Sequence, residues 1–111
     1  MNYHGIKILV VCSKNIKRSP TAEKMFDNDQ RCSVRSVGTS PKANRKITLA
    51  DISWANYIVC MEEKHKRMIE QQFGKNNLPS IITLNIEDKY GFMDPELVDM
   101  LRIDIEEILK K

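Results

Sequence analysis

Residues 6–23, IKILVVCSKNIKRSPTAE, run from an apolar stretch through a short basic loop into a helix-forming segment. The apolar part predicts a buried β-strand over 6–11, and Pro20 fits the first position of a helix that Ser19 would cap. A loop between a strand and a helix start leaves backbone N–H groups unpaired and aims them, with the positive end of the helix dipole, at one point. The stretch therefore predicts an anion-binding loop after the first strand.

This loop contains Cys12 and Arg18, with five residues between them. A guanidinium fork matches two phosphoryl oxygens, and the field that attracts phosphate also stabilises a thiolate nucleophile. We expect Cys12 to attack phosphorus and form a phosphocysteine while Arg18 clamps the phosphoryl group. The Ser19 hydroxyl can donate to the sulfur, and the Asn15 side chain can brace the loop. The alternative is a buried cysteine at a strand end, followed by a solvated basic loop.

Strand and helix patterns alternate along the rest of the chain. Strands are predicted at 32–37, 57–61 and 80–84, and helices at 21–29, 48–54, 62–73 and 96–110. Alternation of this kind implies βαβ units, and hence an α/β three-layer sandwich with a four-stranded parallel sheet between helices. Ligands bind such sheets beyond the carboxyl ends of the strands, which is where the Cys12 loop lies.

Length and composition indicate one domain over residues 1–111. The beginning of the chain does not resemble a signal peptide, and the longest apolar run, 8–12, is too short to cross a bilayer. We therefore expect a cytoplasmic protein without a membrane partner. Three cysteines without C-x-x-C spacing and two isolated histidines predict free thiols and no metal site.

Charge is distributed unevenly along the chain. Residues 1–50 carry ten Lys/Arg and three Asp/Glu, about +7, whereas residues 51–111 carry eight and twelve, about −4. The basic residues are scattered and lack interleaved aromatic side chains, so nucleic acid is not expected as a partner. We expect the positive charge to draw phosphorylated substrates into a cleft.

A leaving oxygen needs a proton, and Asp94 is the predicted donor because it follows the fourth strand on a loop at the same sheet edge. Pro95 biases Asp94 toward extended backbone. The alternative is that Asp94 caps the last helix with Pro95 at its first position. Spacing does not separate the two roles, and both can hold together.

Four segments, 10–23, 36–39, 58–61 and 94–95, resemble the low-molecular-weight protein tyrosine phosphatases in matching order. The resemblance implies a flavodoxin-like fold and phosphomonoester hydrolysis without metal or cofactor. It implies Cys12 as nucleophile, Arg18 as phosphate clamp and Asp94 as acid and then base. The loop residues expected to bind the substrate's phosphoryl group are Ser13, Lys14, Asn15, Ile16, Lys17 and Ser19. The resemblance also assigns Asn15 and Ser19, with Ser36, to a hydrogen-bond network that supports the loop.

The chain departs from the family pattern in its loop. Lys14 stands where the family usually has glycine, and Lys17 where it often has a second cysteine. The chain also has fewer residues between Thr39 and the third strand, where family members build part of the pocket wall. The aromatic pair that usually follows Asp-Pro is absent, and Tyr90 and Phe92 are candidates for an aromatic wall, with ordinary loop packing as the alternative.

The leading interpretation is a protein tyrosine phosphatase that acts on a phosphorylated protein or a small phosphomonoester. An arsenate reductase on the same fold is the first alternative, but it needs further thiols, and only Cys60 at the end of the third strand could serve. A non-catalytic phosphoryl-binding module is the second, favoured by the altered loop. Cys32 is expected to be structural, and His65 to lie on a solvated helix face.

Overall fold

Strands and helices alternate throughout the computed structural model, which describes residues 5–110. The eight elements are β1 (Ile6–Cys12), α1 (Arg18–Met25), β2 (Cys32–Gly38), α2 (Leu49–Trp54), β3 (Tyr57–Cys60), α3 (Glu63–Phe73), β4 (Ser80–Thr83) and α4 (Pro95–Leu109). Each corresponds to an element predicted from the sequence. The bounds agree within one residue except at α1, which begins earlier and ends earlier than predicted.

All four strands are parallel, in the order β2-β1-β3-β4. Helices α1 and α4 pack on one face of the sheet, and α2 and α3 pack on the other. The predicted α/β three-layer sandwich is therefore confirmed. The chain moves to one side after β1 and to the other side before β3, so the carboxyl ends of β1 and β3 border the crevice where ligands bind in such sheets.

The central strand β1 explains why the apolar run is continuous. Ile8 and Val10 point into the core beneath α1 and α4, while Leu9 and Val11 point into the core beneath α2 and α3. All four are fully buried, since a strand covered on both faces needs apolar side chains at every position. Cys12 continues the first of these faces.

Helix α1 corrects the predicted cap. The helix begins at Arg18 with Lys17 at the cap position, and the Thr21 N–H donates to the Lys17 carbonyl at 3.1 Å. Ser19 and Pro20 lie inside the first turn. Proline is tolerated there because the first N–H groups of a helix have no partner within it. The Ser19 hydroxyl is thereby free to take a role in the loop.

Gly38 ends β2 directly against the loop that follows β1. A Cβ at this position would lie 2.5 Å from the Ser13 carbonyl oxygen and 2.6 Å from the Ala43 Cβ. Any side chain would push the loop away from the sheet. Glycine is required here by the close approach of two backbones.

The helices give no indication of a membrane-spanning segment. Over residues 5–110, none combines the length and the apolar character needed to cross a bilayer.

Replacing Gly38 with alanine is expected to lower the free energy of unfolding by about 1–3 kcal/mol, because the new methyl group overlaps the loop backbone. Urea denaturation of the two proteins measures the difference. Gly91→Ala is the matched control, since a Cβ at Gly91 meets nothing within 4 Å. Equal stability of the two variants would contradict the assigned role of Gly38.

Candidate active site

The loop from Cys12 to Arg18 is held by its carbonyl groups. Three of them accept hydrogen bonds from backbone N–H groups in segment 39–44. The pairs are Cys12 O with Thr39 N (3.0 Å), Ser13 O with Ser40 N (2.9 Å) and Lys14 O with Asn44 N (3.0 Å). In a trans peptide the C=O and the following N–H point in opposite directions, so the N–H groups of residues 13–15 turn to the other side. The Asn15 N–H donates to the Cys12 sulfur at 3.3 Å, which shows that this side faces the thiol.

Asn15 is the left-handed residue of the loop, with φ of 57°. Lys14 stands where the family usually has glycine, but it is not among the residues of the described chain with positive φ. A lysine therefore fits this position without backbone strain. Asparagine tolerates the left-handed region better than most residues do. The conformation directs its side-chain amide into the buried space behind the loop.

A chain of hydrogen bonds runs from that amide to the sulfur. Asn15 Nδ2 donates to the hydroxyls of Ser19 and Ser36, both at 3.0 Å, and the Ser36 hydroxyl donates to Glu23 Oε1 at 2.6 Å. An ionised carboxylate only accepts, which fixes the donors from Asn15 through Ser36 to Glu23. Ser19 Oγ accepts from Asn15, donates to the Val37 carbonyl oxygen at 3.3 Å, and lies 2.9 Å from Cys12 Sγ, where either atom can donate. If the sulfur carries no proton, the Ser19 hydroxyl is the donor of this pair.

Arg18 is 2% exposed and is anchored by one edge of its guanidinium. Nη1 donates to the Glu62 carboxylate and to the Ile86 carbonyl oxygen, the latter at 2.8 Å. Burial by itself would raise the pKa of Glu62, but the hydrogen bond and the charge of Arg18 hold that pKa below its usual range. Nε lies 3.8 Å from Asp88 Oδ1, on the side of the cavity. The anchored edge orients the other edge toward an incoming anion.

His65 is fully buried, which corrects the expectation of a solvated helix face. Its Nδ1 accepts from the Glu62 N–H at 3.1 Å, so the neutral ring carries its proton on Nε2 and donates it to Ser13 Oγ, 2.9 Å away. Burial, with the nearby Arg18 charge, lowers the pKa of His65 to about 4. The ring is a neutral hydrogen-bond donor that holds a loop residue in place. In the sequence, only its position three residues after Glu62 at a helix start indicates this role.

A cavity of about 540 Å³ opens above the sulfur. It is lined by Cys12, Ser13, Lys14, Ile16, Lys17, Arg18, Ser40, Lys64 and Asp88. Six of these are predicted site residues, and the remaining predicted loop residues, Asn15 and Ser19, lie buried behind the sulfur with Ser36. Segment 39–46 lies in the region that is shorter than in the family. It supplies Ser40 to the lining of the cavity and closes one side of the loop.

Asp94 does not line this cavity. Its carboxylate accepts from the Glu96 N–H at 2.9 Å and caps α4, with Pro95 as the first helical residue. The adjacent Met93 N–H donates to Thr21 Oγ1, in the first turn of α1, at 3.0 Å. Of the two roles that spacing left open, the structure shows the cap. The lining of the cavity includes the carboxylate of Asp88, which the sequence does not single out because it lies in a polar loop without a motif.

The two candidate aromatic residues do not line the cavity either. Tyr90 packs against the core beneath α4, and Phe92 is exposed. The only apolar side chain at the mouth, among residues 5–110, is Ile16, which is 51% exposed.

The other cysteines lie away from the nucleophile. Cys60 belongs to the core on the opposite face of the sheet, and burial raises the pKa of its thiol to about 12. Cys32 begins β2, whereas Cys12 pairs with Gly38 at the end of that strand. No second thiol in the described chain is placed to attack a group bound to Cys12.

We predict that His65 makes stability depend on pH. The unfolded-state pKa of 6.5 exceeds the folded-state pKa of about 4, so the unfolded chain binds one more proton between these values. The stabilisation from the neutral ring is complete above pH 6.5 and is lost as pH falls to about 4, by about 2–3 kcal/mol. Urea denaturation at pH 7 and pH 4.5 should show a smaller loss in His65→Gln than in the wild type. Equal losses in both proteins would contradict the prediction.

Comparison with known proteins bears on the fold. No family model and no curated protein sequence matches the chain significantly. The structure is similar to the low molecular weight protein tyrosine phosphatase of Streptococcus pyogenes, with 20% identity, 95% of this chain and 91% of that chain covered, and a TM-score of 0.76.

Two further solved structures are similar over comparable lengths. The YwlE arginine phosphatase of Geobacillus stearothermophilus has 22% identity, coverage of 95% and 94% of the two chains, and a TM-score of 0.74. The low molecular weight protein tyrosine phosphatase of T. tengcongensis has 20% identity, coverage of 93% and 99%, and a TM-score of 0.72. The chain therefore has the α/β fold of the low-molecular-weight protein tyrosine phosphatases, the family whose motifs its sequence resembles.

Proposed function

We propose that the protein is a cysteine-dependent phosphomonoester hydrolase, most favourably a protein tyrosine phosphatase. The observation that carries the proposal is the position of Cys12 Sγ. It accepts a hydrogen bond from the loop amide of Asn15 and lies 2.9 Å from the Ser19 hydroxyl, in a cavity that also contains Arg18 and Asp88. These are the groups that phosphoryl transfer through a cysteine requires: a stabilised nucleophile, donors for the phosphoryl oxygens, and an acid.

In the first step, the Cys12 thiolate attacks phosphorus, and an S–P bond forms as the P–O bond of the ester breaks. Arg18 and the loop N–H groups bind the three equatorial oxygens. Asp88, in its protonated form, gives its proton to the leaving oxygen. The anchoring of Nη1 by Glu62 and Ile86 leaves the Nε edge of Arg18 for the phosphoryl group.

In the second step, water attacks the phosphocysteine, the S–P bond breaks and inorganic phosphate leaves. The Asp88 carboxylate takes a proton from the attacking water and returns to its protonated form. The Ser19 hydroxyl stabilises the departing Cys12 thiolate through the hydrogen bond seen in the structure.

Phosphotyrosine is favoured over phosphoarginine by the charge of the cavity. Lys14, Lys17 and Lys64 oppose one carboxylate, Asp88, while Glu62 balances the charge of Arg18. Departure of a guanidine from phosphoarginine yields a cation, which this surplus of positive charge disfavours, whereas tyrosine departs as a neutral phenol. The exposed side chain of Ile16 offers apolar contact area to an aromatic ring. A cytoplasmic location remains a prediction from the sequence.

Neither alternative function is favoured by a specific observation. An arsenate reductase that relays its product through further thiols lacks them, because Cys60 lies on the opposite face of the sheet. A non-catalytic binding module needs no acid, yet Asp88 stands beside Arg18 in the cavity.

Replacing Cys12 with serine should lower turnover of p-nitrophenyl phosphate by at least about 10³-fold, because the weaker nucleophile cannot form the phosphoenzyme efficiently. Release of p-nitrophenolate measures the rate. Cys32→Ser is the control and should keep wild-type turnover, since Cys32 lies at the far end of β2. Undiminished turnover in the Cys12 variant would refute the proposal.

Asp88→Asn and Asp94→Asn separate the two candidate acids. Loss of Asp88 should slow hydrolysis of a phenol ester by about 10²–10⁴-fold and that of p-nitrophenyl phosphate much less, since p-nitrophenolate departs without a proton. Asp94→Asn should leave both rates unchanged, and asparagine can still cap α4. A rate pattern with the two variants exchanged would show that Asp94 is the acid after all.

A further inference from the structure

The mouth of the cavity carries two lysines that the proposed chemistry does not use. Lys14 and Lys17 lie within the nucleophile loop, are exposed, and line the cavity. Among residues 5–110, no carboxylate forms an ion pair with either ammonium group. Arg18, by contrast, already has Glu62 as its partner. The loop therefore presents two uncompensated positive charges beside the place where the phosphoryl group binds.

Acidic residues lie at another part of the mouth. The cavity shares Lys64 with a neighbouring depression that is lined by Glu62, Glu63, Lys64, Asn85 and Glu87. Asp88 stands on this same rim, beside the cavity. Outside the loop the lining residues include Lys64 but more carboxylates than cations, so the entrance differs in charge between the loop side and this acidic side.

We propose that Lys14 and Lys17 form a second anion site, and that the preferred substrates are phosphotyrosine peptides with another anionic group near the phosphorylated residue. The inference rests on the proposed phosphatase function and specifies its substrate class. Consecutive Cα atoms lie about 3.8 Å apart, so an acidic group within two residues of the phosphotyrosine can reach the rim of the same cavity. The anionic group can be a carboxylate or a second phosphate, because an ammonium recognises either as a point charge.

The acidic residues at the mouth also favour one orientation of the bound peptide. A peptide that lies across the mouth with its anionic side over the loop places its other side over Glu63 and Glu87. Acidic residues on both sides of the phosphotyrosine should therefore bind less well than acidic residues on one side, because like charges repel. The uneven charge of the entrance therefore selects both the composition of the peptide and the direction in which it binds.

The test compares kcat/KM for phosphotyrosine peptides of equal length with neutral flanks, with Asp/Glu on either side or on both, and with one phosphoserine. Wild type should prefer the better one-sided acidic peptide to the neutral one by about tenfold at low ionic strength, the sum of two exposed charge pairs. The preference should shrink in 0.5 M salt, where exposed charges are screened. The phosphoserine arm shows which anionic group is preferred.

The double variant Lys14→Ala/Lys17→Ala should reduce the ratio of acidic to neutral kcat/KM to about 1–2. Lys75→Ala, at an exposed position after α3 that lines no part of the cavity, should keep the wild-type ratio. The comparison of ratios removes any common effect of the loop substitutions on turnover. An unchanged ratio in the double variant, or no preference in wild type, would overturn the inference.

Failure of the proposed function would look different. A protein that hydrolyses neither the peptides nor p-nitrophenyl phosphate contradicts the phosphatase assignment, and binding then tests the anion site by itself. Calorimetric titration of the Cys12→Ser protein with the acidic and neutral phosphopeptides should give affinities about tenfold apart, and the two lysine substitutions should remove the difference. Equal affinities would contradict the second anion site whether or not the wild type is an enzyme.

Discussion

The hydrogen bonds between the loop carbonyls and segment 39–44 are the constraint on which the site depends. A loop amide can face an anion only when its carbonyl has a partner on the other side, since the two groups of a peptide plane point apart. Thr39, Ser40 and Asn44 provide those partners. The contact is possible because Gly38 has no side chain where the two backbones meet. The glycine at the end of β2 is therefore needed to hold the loop that starts at the cysteine at the end of β1.

A second layer of buried polar groups holds the reactive side chains. Arg18, Glu62 and His65 lie beneath the cavity, at the carboxyl ends of the strands. Each is anchored by hydrogen bonds on one side and faces the loop or the cavity on another. In a poorly solvated position an unpaired guanidinium would be costly, so the Glu62 carboxylate neutralises it. The charge of Arg18 is one cause of the low pKa of His65, and the ring stays a neutral donor. The charge of Arg18 therefore favours the ionised form of Glu62 and the neutral form of His65.

The two aspartates of the last loop show that one local pattern can indicate two roles. Asp94 and Pro95 match a family motif and also match a helix cap, and both patterns span two residues. The path of the chain after β4 shows that Asp94 caps α4. That path carries Ile86 to Arg18, Asp88 to the cavity and Met93 to Thr21, and α4 begins at Pro95. The acid proposed for catalysis is the residue that the path delivers, not the one with the stronger motif.

The sequence by itself determined the four strands, the four helices, the parallel sheet and the place of the nucleophile loop. These follow from local periodicity and from Cys12 and Arg18 at the end of an apolar strand, which are interactions between near neighbours in the chain. Only the tertiary structure decided the partners of Arg18, the burial of His65 and the place of Asp88 beside Arg18. Each of these joins residues more than forty positions apart, and no local pattern records such a distance. A helix surface such as that of His65 appears polar in sequence until its buried hydrogen bonds are known.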